Sequence, residues 1–305
     1  MGVTRRQTWA LTLATAVFLA LVATIPTQAL AAPRVSQEPS TQHCNNVEFI
    51  GARGSGQPYT GKGSFGGLGP EVSKMVGVIK AQLKQKKFSY GTDALSYPAI
   101  SDSTLIPSAA ELALILSGDP QGITDYINDN LDKFTASINK GVNDAISDIN
   151  SYHKLCGATI YVLVGYSQGA MVMHAAETSL DTKSHLGVFK KIAGTVLLAD
   201  GYRVPHTKAR QFGTSKTSGE GIESWFFGPG RDVPGPGTTA NICDANDFVC
   251  DFSRDTFLHI SGDLKIHSGY THCDSKEQCT SQKVLTTAST WVGNAVIKRL
   301  DNMAR

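Results

Sequence analysis

Apolar positions along the chain alternate between two periods. Short apolar runs occur at 47–50, within 88–97, at 159–164 and at 192–198, lengths that suit strands. Between them the spacing changes to three or four. Val72, Met75, Val76, Ile79 and Leu83 share one helical face, and Ile123, Ile127, Leu131, Phe134, Ile138, Val142, Ile146 and Ile149 share a longer one. Asp119-Pro120 offers that long helix a cap and a first-turn proline, and Pro98 closes the second strand. A short helical segment at 186–191 precedes the strand at 192–198. A closing helix carries Val284, Ala288, Trp291, Val292, Ala295 and Val296 on one face.

The stretch 203–240 is different. It is rich in Gly, Pro, Ser and Thr, and Gly228-Pro229-Gly230 and Pro234-Gly235-Pro236-Gly237 leave no room for long regular elements. A surface excursion is expected there, followed by a short strand into Cys243. Strands alternating with helices predict an α/β fold with a parallel, doubly wound sheet of about five strands. Neither an internal repeat nor a second domain is visible across 43–305.

The ends add a destination. Arg5 and Arg6, an apolar stretch from Ala10 to Ile25 and the small-x-small site Ala29-Leu30-Ala31 read as a secretory signal peptide over 1–31. The apolar run is short for a membrane span, so no span is expected after cleavage, and general secretion suits the residues better than a twin-arginine route. Residues 32–42, polar and containing Pro33 and Pro39, read as a flexible leader. The 305 residues carry a net charge of +2 with no block of like charge, which argues against a nucleic-acid partner. Six cysteines, Cys44, Cys156, Cys243, Cys250, Cys273 and Cys279, fit disulfides in an oxidising compartment. His272 with Cys273 and Cys279 could suggest zinc, but no C-x-x-C pair supports it, so no metal is expected.

The chemistry concentrates at Gly165-Tyr166-Ser167-Gln168-Gly169, directly behind the apolar run Ile160-Tyr161-Val162-Leu163-Val164. G-x-S-x-G between a strand and a helix pushes a serine hydroxyl out above the sheet, and the glycines supply room a Cβ would occupy. Ser167 could then attack a carbonyl while the Gln168 amide, at a helix N-terminus, donates to the oxyanion. Such a serine needs an imidazole, and the imidazole needs a carboxylate. In α/β hydrolases both follow the serine, acid first. His174, His185 and His206 fit that order poorly and read as structural or exposed, which leaves His259, His267 and His272. Asp247, bracketed by Cys243 and Cys250, is the candidate acid, with Asp244 and Asp251 as competitors.

Five segments then resemble one family in its order: Gly51-Ala52-Arg53-Gly54-Ser55-Gly56, the Ser167 turn, Lys191-Ile192-Ala193-Gly194-Thr195-Val196-Leu197, Asn246-Asp247-Phe248-Val249-Cys250 and His267-Ser268-Gly269-Tyr270. From Cys44 onward the chain resembles the cutinase family of serine esterases, single-domain α/β hydrolases. The resemblance implies Ser167 as nucleophile, Asp247 as the orienting acid, His267 as base, and Ser55 with the Gln168 amide as oxyanion hole. It also implies the pairs Cys44–Cys156 and Cys243–Cys250, leaving Cys273 with Cys279. The chain departs from a compact cutinase at 101–123, at 203–240 and at 252–265, and the last insertion keeps His259 as a rival to His267.

What is expected is a secreted, monomeric esterase, extracellular or associated with the cell surface, working without cofactor through an acyl-enzyme on cutin-like polyester, acyl or lipid esters. Trp225-Phe226-Phe227 with Leu264 and Ile266 would suit a long-chain lipid ester. Acyl transfer to an alcohol is the alternative chemistry, and a non-catalytic binding protein on the same fold is the alternative class.

Overall fold

The computed structural model describes residues 44–101, 109–117, 121, 131–224, 228, 230–235, 237–253, 256, 260–272 and 275–305. The expected signal peptide and leader, the Asp119-Pro120 cap, Trp225-Phe226-Phe227, His259 and Cys273 lie outside them.

Among the described residues six strands form one parallel sheet: β1 (Val47–Ala52), β2 (Tyr90–Ala94), β3 (Ile160–Tyr166), β4 (Ile192–Leu198), β5 (Arg210–Phe212) and β6 (Thr238–Ile242), in the order β2-β1-β3-β4-β6-β5. The helices are α1 (Gly69–Gln85), α2 (Ala109–Ser117), α3 (Asp132–Leu155), α4 (Gln168–Leu180), α5 (Leu186–Phe189), α6 (Ile260–His267) and α7 (Lys276–Met303). No helix of the described residues is long and apolar enough to cross a membrane.

The strand pattern follows from burial on two sides. Val47 and Phe49 of β1 and Ile160, Val162 and Val164 of β3 join α1 and α7 in one core cluster. Ile50 and Ala52, with Tyr161 and Leu163, face α3 and α4 in the other. A central parallel strand covered on both faces must be apolar at nearly every position, which is why β3 reads as an unbroken run. Gly141 lets α3 approach α4, since a Cβ there would lie 2.7 Å from Val172.

Several elements differ from the pattern. The second strand is shorter than the apolar stretch 88–97 because only its middle pairs with β1. Within the described residues the long helix starts at Asp132 and runs on to Leu155, beyond Ile149, as far as the Cys156 C-cap. Residues 203–240 are not all surface. Their organiser is Arg203, a fully buried guanidinium that donates to Gln211 Oε1, Ser215 Oγ and the carbonyls of Lys216 and Cys250. That anchoring lets residues 210–212 pair with β6 as the extra strand β5.

Two disulfides join described residues, Cys44–Cys156 and Cys243–Cys250; Cys279 is also disulfide-bonded. Cys44–Cys156 ties the entry to β1 to the end of α3 across 112 residues, whereas Cys243–Cys250 closes a loop of separation 7. Loop-closure entropy makes the long bridge the stronger staple. Cys44→Ser with Cys156→Ser should lower unfolding free energy by about 4 to 5 kcal/mol, and Cys243→Ser with Cys250→Ser by about 2 to 3 kcal/mol. Urea unfolding of the two double variants checks the ranking.

Candidate active site

The sheet reverses its winding direction between β1 and β3, and the crevice beyond their C-terminal ends is where ligands bind in open α/β sheets. Ala52, the last residue of β1, is in register with Gly165 of β3. The loop after β1 and the turn after β3 therefore leave the sheet side by side.

At that turn Ser167 has φ 55° and ψ −124°, a backbone conformation costly for any residue with a side chain. Close packing enforces it. A Cβ on Gly165 would lie 2.3 Å from the Gly169 carbonyl oxygen, and one on Gly169 would lie 2.1 Å from the Ala52 carbonyl oxygen. The Ser167 amide is held by the Leu198 carbonyl of β4 at 2.8 Å. Gln168 opens α4, so its amide has no acceptor within the helix. Its side chain is turned away, with Oε1 accepting from Ser137 Oγ at 3.0 Å.

The structure brings Ser167, His267 and Asp247 together. Ser167 Oγ lies 2.9 Å from His267 Nε2, and His267 Nδ1 lies 3.0 and 3.1 Å from the two Asp247 carboxylate oxygens. His267 ends α6, a helix inside the stretch that separates acid from base. Tyr166, within the motif itself, stacks on the imidazole with ring centroids 5.3 Å apart and donates from its hydroxyl to the His267 carbonyl at 2.8 Å. Only this adjacent position in the turn hinted at that contact.

Asp247 is wholly buried in the loop closed by Cys243–Cys250. Its Oδ1 accepts from the amides of Val249 at 2.8 Å and Cys250 at 3.2 Å, and its Oδ2 from the Tyr270 hydroxyl at 2.8 Å. Burial alone would raise its pKa. The His267 charge, with hydrogen bonds from His267, Tyr270 and the Val249 amide, outweighs burial and holds the carboxyl below the usual carboxylate range. Burial and the neighbouring Asp247 push the Tyr270 phenol well up, so it stays a donor.

The competing acids are occupied elsewhere. Asp244 accepts from the amide and hydroxyl of Thr214 and from Ser281, and Asp251 from Ser215 and the Asn246 amide while it faces Arg203. His272 is exposed beside the Ser268 carbonyl, and His259 lies outside the described residues.

Ser55 lies in the loop after β1, half-buried, beside Gly54, whose ideal Cβ position is 3.5 Å from Ser167 Cβ. The Arg53 side chain fastens this loop. It donates to the carbonyls of Gln57 at 2.7 Å, Leu95 at 3.1 Å and Tyr97 at 2.6 Å, and its guanidinium sits 5.1 and 5.3 Å from the Tyr97 and Tyr59 ring centroids. The Tyr97 hydroxyl returns a bond to the Arg53 carbonyl at 2.5 Å. A cavity of about 800 Å³ opens nearby, lined by Thr214, Asp244, Ile266 and Gly269 among others; neither Ser167 nor His267 lines it. Among the described residues no three His, Cys, Asp or Glu side chains cluster as metal ligands would.

A second buried histidine, His174, belongs to α4 itself. His174 Nδ1 lies 2.6 Å from Asp200 Oδ2, and Nε2 lies 2.7 Å from the Arg231 carbonyl. Burial would lower its pKa, but Asp200 above all, with the Arg231 carbonyl and Glu177, raises it to about 9. A folded-state pKa above the unfolded value of about 6.5 means that the pair's contribution is complete below about pH 6.5 and fades as pH rises through about 9. Asp200→Ala should cost about 3 to 5 kcal/mol at neutral pH, and the gap to the parent should narrow above pH 9. Denaturant unfolding at neutral pH and at pH above 9 measures both.

A family model described as cutinase matches residues 43–278. A cutinase from Hypocrea jecorina is 39% identical over 83 residues, 27% of this chain and 29% of that protein, so the alignment spans less than a third of the relative. A cutinase-like protein from Cryptococcus sp. superposes with a TM-score of 0.52 at 18% identity, covering 83% of this chain and 96% of that one. The catalytic core domain of acetyl xylan esterase from Trichoderma reesei gives 0.50 at 19% identity, over 83% and 100%. The two superpositions agree with the α/β sheet and helix layers described above. The family match takes in all six strands, the Ser167 turn, the Asp247 loop and the His267 helix, and the chain belongs to the cutinase family.

Proposed function

We propose that the protein is a secreted serine esterase that hydrolyses carboxylic esters through an acyl-enzyme. The observation that carries the reading is the continuous line of contacts from Ser167 Oγ through His267 to the Asp247 carboxylate. His267 takes the hydroxyl proton as Ser167 attacks the ester carbonyl, Asp247 steadies the imidazolium, and the proton passes to the departing alcohol. Water repeats the sequence on the acyl-enzyme. The oxyanion is received by the amides of Ser55 and Gln168, the latter reinforced by the α4 dipole, and by the Ser55 hydroxyl. No step calls for a metal or organic cofactor.

Two disulfides between described residues and the signal-like residues 1–31 support export, as does membership of the family. Ser167 and His267 are both buried, which favours slim, short-to-medium acyl groups over bulky ones.

Ser167→Ala should lower kcat by about six orders of magnitude, Asp247→Asn by about four and Ser55→Ala by about two to three. Because Asp247 is held below the ordinary carboxylate range, its charge persists across mildly acid pH. The acid limb of kcat/KM then follows the imidazole alone, rising with the loss of one proton between acid and neutral pH. A flat profile over that interval, or an active Ser167→Ala, overturns the mechanism.

Across p-nitrophenyl esters from acetate to palmitate, kcat/KM should peak at butyrate or shorter. Equal turnover of palmitate would point to a long-chain lipid ester instead. Product analysis with added alcohols separates hydrolysis from acyl transfer.

A further inference from the structure

A half-buried polar chain joins the two halves of the site from behind. The Gly54 amide, next to Ser55, donates to Gln57 Oε1 at 2.9 Å, and Gln57 Nε2 donates to Glu71 Oε2 at 2.5 Å. The other Glu71 oxygen, Oε1, accepts from Thr271 Oγ1 at 3.2 Å. Thr271 belongs to the turn that follows His267, and its carbonyl is held by Gln282 Nε2 of α7 at 3.0 Å.

Glu71 is built to stay where it is. It is only 4% exposed and sits in the first turn of α1, where the helix dipole favours a carboxylate. Gly69, two residues earlier, has φ +71°, and a Cβ there would lie 2.1 Å from Gln57 Oε1. The start of α1 is thus shaped to admit the Gln57 amide. Every direction in the chain is determined, because a carboxylate can only accept and Thr271 and Gln57 must therefore donate to it.

We propose that Glu71 is a positioning residue that sets the spacing between the oxyanion loop and the base-bearing turn. Its part in the reaction rests on the reading of Ser167 as nucleophile and Ser55 with Gln168 as oxyanion site. Glu71 touches no reacting atom. It holds Gly54 through Gln57 on one side and the residues after His267 on the other, so that the oxyanion donors and the imidazole keep one geometry through the tetrahedral intermediate. Loss of such a brace misplaces donors that matter most when the oxyanion forms, which lowers kcat more than it weakens ground-state binding.

The polarity of the chain allows a swap. In Glu71→Gln the helix offers one oxygen, enough for Thr271, and its NH2 faces the NH2 of Gln57. With Gln57→Glu added, the loop carboxylate accepts both from the Gly54 amide and from the new helix amide, so every bond is remade with one direction reversed.

The full chain is first treated with a p-nitrophenyl alkylphosphonate. Absence of a Ser167 adduct in the parent would remove the esterase reading itself, and the inference with it. Given that adduct, kcat and KM for a soluble butyrate ester are measured for Glu71→Gln, Gln57→Glu with Glu71→Gln, and Thr271→Val. Glu71→Gln should lower kcat by about ten- to a hundredfold with KM within about twofold. The double variant should return to within about threefold of the parent. Thr271→Val, which leaves the Gln57–Glu71 bond intact, should lower kcat several-fold at unchanged KM and keeps the test open if the other variants fail to fold. Parental kcat in a labelled, folded Glu71→Gln or Thr271→Val, with only the unfolding midpoint shifted, would overturn the positioning role. A folded double variant as slow as Glu71→Gln would do so equally.

Discussion

The site depends on one close approach, that of the α4 N-terminus to the end of β1. Gly169 lies so near the Ala52 carbonyl that no side chain fits between them, and Gly165 lies equally near the backbone of Gly169 and Ala170. The strand-to-helix turn can therefore be tight enough to hold Ser167 in a conformation that an unconstrained residue would leave. The same tightness carries the loop after β1 past Ser167. Ser167 and the loop that carries Ser55 are brought together by backbone contact, before any side chain acts.

Everything further from that contact is bracing. Arg53 lashes the first loop to residues 95–97 with its guanidinium between two tyrosine rings, and Glu71 holds the same loop from α1. Asp247 is delivered by a loop that begins where β6 ends and is closed by its own disulfide. Tyr270 then ties the two later loops together, donating to Asp247 Oδ2 while its oxygen accepts from the Asp244 amide. Parallel strands make this convergence possible, because their C-terminal ends all open on the same edge of the sheet.

How much of this could be read from residues alone follows from how local each cause is. β3, the Ser167 turn and α1 were legible because burial on two faces, glycines at a turn and a helical stripe are properties of adjacent residues. The Asp247 loop was legible through its bracketing cysteines, and His267 through the short segment it shares with Tyr270. Arg203 was not, since 203–240 looked like open surface and nothing nearby in sequence announces a guanidinium that gathers carbonyls from residues 216 and 250. α6 was missed for a related reason: an eight-residue helix whose place is set by delivering His267 to Ser167 carries little periodicity of its own. Glu71 reads as one more polar residue at a helix start, and its partners at 57 and 271 are joined only by the fold.

Among the described residues two buried His–Asp pairs differ in what each ring meets on its far side, and that third partner decides which protons the ring carries. His174 and His267 each set Nδ1 against a buried carboxylate. Beyond the ring, His174 Nε2 meets the Arg231 carbonyl, an acceptor, so both nitrogens must carry protons and the imidazolium is held up to pH about 9. Such a ring has no lone pair left with which to take a proton. His267 Nε2 instead meets Ser167 Oγ, a hydroxyl that can donate, so a neutral ring satisfies both contacts and retains a basic nitrogen aimed at that hydroxyl. A carboxylate behind a histidine therefore marks a base only where the far nitrogen faces a donor. By that criterion Ser167, rather than Asp247, is what suits His267 to the role of base in the proposed mechanism.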